Sequence, residues 1–111
     1  MASAYGCACS DGRGPEEIVG LADVAHLGGG LAELGMVVDD HRQGRGVGKL
    51  LTEVIASLAI QQGAARLKAE LLADNTAMLR LMQRLGRTVS TVEDGVSIVY
   101  TTLSATCRRA A

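Results

Sequence analysis

Residues 42–51 read RQGRGVGKLL. Gly44, Gly46 and Gly48 alternate with Arg45 and Val47, and an apolar run follows at once. Bare backbone at the mouth of a helix lets successive amide N–H groups face one concavity, which suits an oxyanion. The positive end of the helix behind it adds to the attraction. Arg45 and Lys49 bring positive charge to the same turn. Two nucleotide loops come near this pattern and miss it. A phosphate loop G-x-x-x-x-G-K-[ST], counted back from Gly48-Lys49, needs glycine at 43 and a hydroxyl at 50, where the chain has Gln43 and Leu50. A dinucleotide loop G-x-G-x-x-G begun at Gly44 puts its third glycine at Lys49. The plain alternative is a glycine-rich turn between a strand and a helix.

The flanks decide how the loop is held. Ahead of it, LAELGMVV at 31–38 alternates like a strand, and EEIVGLADVAHL at 16–27 reads as another. The stretch 3–9 is small and β-compatible, and SDGRGP at 10–15 and GGG at 28–30 supply turns, so an antiparallel meander is expected. Behind the loop the period becomes helical: Val47, Leu50, Leu51, Val54, Ile55 and Leu58 follow the i, i+3, i+4, i+7 rule. Gly63 stands where a glycine closes a helix. ARLKAELLA at 65–73 is the next strand, and strand, helix and strand make a crossover with parallel strands. Asp74 or Asn75 caps a second helix with Met78, Leu79, Met82 and Leu85 on its apolar face, and Gly86 ends it. RTVSTVE and VSIVYTTL flank Asp94-Gly95, a hairpin signal. The order βββ-α-β-α-ββ predicts one α+β (mixed α/β) domain over residues 1–103, with a frayed tail at 104–111.

Composition narrows the function. The chain has 111 residues, 48% hydrophobic, with no Phe or Trp, so its core is aliphatic. Mean hydropathy is +0.21. A net charge of −1 with no basic stripe argues against nucleic acid as a partner. No apolar run reaches the roughly 18 residues of a membrane span, and the first residues lack the pattern of a signal peptide. Three cysteines, Cys7, Cys9 and Cys107, form no disulfide framework, which fits a reducing cytoplasm. Cys7 and Cys9 lack the further ligands of a metal site, so no metal is expected and both read as small hydrophobes.

One acyl-donor loop, Q/R-x-x-G-x-G/A, is met at every fixed position by Gln43-Gly44-Arg45-Gly46-Val47-Gly48. It is the acetyl-CoA pyrophosphate loop of the GNAT superfamily of N-acyltransferases, which this chain resembles. VV at 37–38 ends a strand five residues ahead of Gln43, as in that family. DNTAMLRLMQRLG at 74–86 looks like the family helix E/D-N-x-x-M/A-x-x-L-x-x-x-x-G, whose Asn contacts the cofactor and falls here on Asn75. The helix, then a strand and the acidic-Gly turn Glu93-Asp94-Gly95, are similar to bacterial protein lysine acetyltransferases of the Pat type. The likeness covers about residues 16–103.

The resemblance implies an acetyl-CoA-dependent N-acetyltransferase with an amine acceptor, a protein lysine on the Pat likeness, and no metal. It implies coenzyme A contacts along Gln43, Gly44, Arg45, Gly46, Val47, Gly48 and Lys49, and at Asn75. Backbone near Met36, Val37 and Val38, where the strand splays from its neighbour, would polarise the thioester carbonyl. Glu33, ten positions ahead of Gln43, falls where related enzymes place a general base; a solvated strand glutamate is the plain reading. A tyrosine that protonates the leaving thiolate in many members falls on Met82, which cannot do so. His26 reads as an exposed turn residue, His41 as surface, and Tyr5 and Tyr100 as packing residues with wet hydroxyls. The chain starts about where the second strand of the family fold would, with the first strand and two helices of the acceptor wall missing. A truncated frame, a homodimer that completes the site and a partner that supplies the wall are the three accounts. The alternative function is a non-catalytic acyl-CoA-binding or regulatory domain.

Overall fold

Period-two alternation over 18–38 builds the first sheet half, and period 3.6 from Val47 builds the helix that follows. The computed structural model describes residues 4–10, 18–38 and 46–103. The strands are β1 (Ala4–Ser10), β2 (Ile18–Gly28), β3 (Leu31–Val38), β4 (Arg66–Leu72), β5 (Gly86–Glu93) and β6 (Val96–Leu103). Helix α1 (Val47–Gln61) joins β3 to β4, and α2 (Thr76–Leu85) joins β4 to β5. The order βββ-α-β-α-ββ is the one the sequence predicts. The turn at 11–15, Glu16 and Glu17, the loop residues His41, Gln43, Gly44 and Arg45, and the tail at 104–111 lie outside the described residues.

All six strands form one sheet in the order β1-β2-β3-β4-β6-β5. The meander β1-β2-β3 is antiparallel, β3 and β4 are parallel, and the hairpin returns β6 antiparallel to β4. Val24, Leu67 and Val99 on the sheet, Ile55 on α1 and Met82 on α2 are all 0% exposed and form the heart of one core. The helices cover this face only. Leu21, Val37, Leu72, Val89 and Tyr100 stand exposed on the opposite one.

α1 sits about one residue step, roughly 100°, away from the face its largest side chains define. Leu50 and Val54 are 50% and 39% exposed, whereas Thr52, Ala56 and Ala59 are buried beside Leu51 and Ile55. A glycine on the facing strand lets the helix come close through Leu51 and Val47. A Cβ on Gly20 of β2 would lie 2.7 Å from Leu51 Cδ1 and 2.9 Å from Val47 Cγ1. The Thr52 hydroxyl is satisfied by donating to the Gly48 and Lys49 carbonyls, at 2.9 Å each. The helix closes on Gly63 as its sequence implies: the Gly63 amide donates to Ile60 O and the Ala64 amide to Ala59 O, both at 2.9 Å.

His26 departs from expectation. It lies inside β2, opposite Ala32, and is half-buried rather than in the turn, because the strand runs on to Gly28. Only Gly29 and Gly30 make the reversal.

Candidate functional site

The site begins where two strands part. β3 and β4 are paired over three positions, Leu31↔Arg66, Ala32↔Leu67 and Glu33↔Lys68. Beyond that vertex β3 stays with β2, out to Gly20↔Val38, and β4 stays with β6, out to Leu72↔Val96. The sheet therefore opens into a V. The backbone polar groups along its inner edges have no ladder partner, and buried backbone groups demand one. Met36, Val37 and Val38 lie on this opened stretch, where the splay was expected.

A cleft of about 520 Å³ fills the V. Its walls are Leu34–Val38 and Ala69–Leu72, and α1 and α2 close it with Gly48, Asn75, Met78 and Leu81. A Cβ on Gly48 would meet Leu81 Cδ1 at 3.0 Å and Met36 Cε at 3.6 Å, so this glycine lets α1 pass close to both walls.

The N-terminus of α1 opens beside Gly48. Gly46, the N-cap, adopts a left-handed conformation with φ 83°, and a Cβ there would meet nothing within 4 Å. Among the described residues no side chain caps the helix, and its first turn carries no acidic residue. Amides that a helix leaves unbonded in its first turn thus face outward without a carboxylate from that turn to compete. Val47 and Lys49 share this turn. The arrangement fits a phosphate-bearing ligand.

Asn75 caps α2, its side-chain oxygen accepting from the Met78 amide at 3.1 Å. It also lines the cleft, across from Gly48. One residue thus ties a helix end to the place where a cofactor would lie. Met82 is wholly buried in the core and does not line the cleft; α2 turns Met78 and Leu81 toward it instead.

On the helix-free side of the sheet lies a second hollow, of about 320 Å³. Glu33 lines it with Asp23, Gly35 and Glu70. Leu34, Gly35 and Glu70 border both hollows. Alternation explains the split. Ala32 and Leu34 are buried on the helix side, with Met36 and Val38 packed against that core, and Glu33, Gly35 and Val37 face away. Glu33 is 44% exposed and its Oε2 lies 3.8 Å from Lys68 Nζ. Asp23 sits opposite Gly35 in register, and a Cβ on Gly35 would come within 2.6 Å of Asp23 Oδ1. The missing side chain lets that carboxylate lie over β3.

Asp23, Lys68 and Glu70 escape sequence reasoning as site residues. Strand parity carried a signal, since Asp23 on β2 and Lys68 and Glu70 on β4 share the sheet face of Glu33 once the register is known. The register itself is a tertiary fact. Among the described residues no cluster of His, Cys, Asp and Glu is arranged to hold a metal, and no helix is long and apolar enough to cross a membrane.

A sheet split beside a glycine-led helix N-terminus is the architecture of an acyl-CoA N-acyltransferase. A model of the acetyltransferase (GNAT) family matches residues 2–86, and the chain belongs to that family. Over 56 residues, half of the chain, it is 41% identical to the acetyltransferase Pat of Mycolicibacterium smegmatis, of which it spans 17%. It superposes on the GNAT domain of S. lividans PAT with a TM-score of 0.75 at 30% identity, covering 90% of this chain and 61% of that one. It superposes on the cAMP-binding acyltransferase from Mycobacterium smegmatis with a TM-score of 0.75 at 27% identity, covering 96% and 37%. The fold is shared with yncA of Salmonella typhimurium, solved with its cofactor acetyl-CoA, at a TM-score of 0.65 and 21% identity.

Proposed function

We propose that the chain is the donor-binding and catalytic part of an acetyl-CoA-dependent N-acetyltransferase with an amine acceptor. The Pat relatives favour a protein lysine as that amine. One observation carries the reading: the sheet opens into a V beside the open N-terminus of α1, with Glu33 at its vertex on the helix-free face.

In this reading the turn from Gln43 through Gly44, Arg45, Gly46, Val47 and Gly48 to Lys49, with Asn75, holds the coenzyme A end of the donor. The donor supplies an activated acetyl group as a thioester. Amides between Met36 and Val38 polarise its carbonyl by donating from the unpaired edge of β3. A lysine ammonium, with a reference pKa near ~10.4, must lose a proton before it attacks. Glu33 takes that proton, directly or through one water. The new N–C bond forms, the C–S bond breaks, and the second proton shed by the attacking nitrogen passes through water to the coenzyme A thiolate, since Met82 has none to give.

The test is release of free thiol from acetyl-CoA in the presence of lysine peptides and small primary amines. Wild-type protein should turn over, and Glu33→Gln should lower kcat by about 10²-fold or more. Turnover that survives Glu33→Gln unchanged would remove Glu33 from the mechanism. Coenzyme A binding without turnover on any amine would favour the non-catalytic acyl-CoA-binding domain.

A further inference from the structure

We propose that Lys68 is a positioning residue for Glu33, holding its carboxylate over the vertex of the cleft. The inference rests on the reading of Glu33 as the general base. Glu33↔Lys68 is the last registered pair of β3 and β4 before the strands part, so this ion pair stands at the vertex of the V, with Glu33 lining the hollow on the helix-free face. The two side chains are not equally fixed. Lys68 is 23% exposed and Glu33 is 44% exposed, so the lysine is the more confined partner. Lys68 is also flanked across β6 by Tyr100, its register neighbour on the other side.

The surroundings give Glu33 one direction to go. Its register neighbour on β2 is Ala25, which offers no charge. The other ionisable groups lining its hollow, Asp23 from β2 and Glu70 from β4, are both carboxylates and repel it. Lys68 is the cation within ion-pair distance among the described residues, and it lies across the vertex on β4. It therefore offsets the repulsion and draws the carboxylate toward the vertex and away from β2. An ion pair this exposed and this long contributes little to folding. Its consequence is directional, and belongs in the rate of the chemical step.

Removing the cation should lower kcat and leave donor binding alone. Lys68→Met should reduce kcat about three- to fivefold, the range that an exposed pair of up to about 1 kcal/mol allows. The thermal shift with coenzyme A and the KM for acetyl-CoA should stay at wild-type values. Lys68→Arg, which keeps a cation in reach, should recover most of the lost rate. The decisive measurement is the double-mutant cycle with Glu33→Gln, run on the best acceptor in the amine panel. In that background Lys68→Met should cost nothing further, because the group it positions is gone. An equal loss in both backgrounds, no loss in the single variant, or no rescue by arginine would overturn the proposal. Failure of the base reading would look different: Glu33→Gln alone would then keep the wild-type rate.

Discussion

Gly46 and Gly48 belong to one motif and do different work. Gly46 has a backbone demand, φ 83°, in open space. Gly48 has a spatial demand, with Leu81 and Met36 against the missing Cβ. Gly46→Ala should therefore cost about 1 kcal/mol of stability from the left-handed conformation while keeping the response to coenzyme A. Gly46→Glu should carry the same strain and lose the response, because a carboxylate would enter the anion site. Thermal unfolding with and without coenzyme A checks both, and a full shift in the glutamate variant would refute the anion site. Both glycines are legible in RQGRGVGKLL, but which one is conformational and which is a spacer is not. The distinction depends on α2, which arrives some thirty residues later in the chain. Asp23 and Gly35 teach the same lesson. Neither means much alone in sequence, yet the register sets one across from the other.

At the scale of the element, the N-cap of α2 lines the cleft as well as closing the helix end. Asn75 accepts the Met78 amide, a contribution of about 1 kcal/mol at an N-cap. Aspartate caps as well as asparagine but brings negative charge to the cleft. Asn75→Asp should therefore unfold near the wild-type temperature and bind coenzyme A more weakly, whereas Asn75→Ala should lose both. Calorimetric titration beside a melting curve separates them, and unweakened binding by Asn75→Asp would exclude this residue from the cofactor contact. The ends of this helix were readable in DNTAMLRLMQRLG because caps are local chemistry. The seating of α1 was not. Its apolar stripe through Leu50 and Val54 points away from the true core face, which Ala56, Ala59 and Thr52 share with Leu51 and Ile55. A count of large side chains favours a face turned from the core, because the seating is set by contacts with strands far off in sequence, such as Leu51 and Val47 on Gly20.

For the whole molecule, the governing feature is a sheet that is continuous except between β3 and β4. Two well-paired halves, β1-β2-β3 and β4-β6-β5, are hinged on three residue pairs. Hydrogen exchange should show this directly. The amides of Ala32 and Glu33, inside the paired stretch, should be slow to exchange. Those of β3 from Met36 to Val38 that face the cleft should be fast, and should slow when coenzyme A is added. Uniform protection along β3 in the free protein would contradict the open V.

The linear sequence determined the elements and the family, because periodicity, caps and glycine spacing act within a few residues of the chain. It placed Glu33 and Met36–Val38 on the right strand and Asn75 at the right helix end. Only the tertiary structure decided that β3 and β4 part after Glu33↔Lys68, that Lys68, Glu70 and Asp23 gather around the candidate base, and that α1 lies on its small residues. These depend on register and close approach between segments far apart in sequence, and no local pattern encodes the partner across a gap.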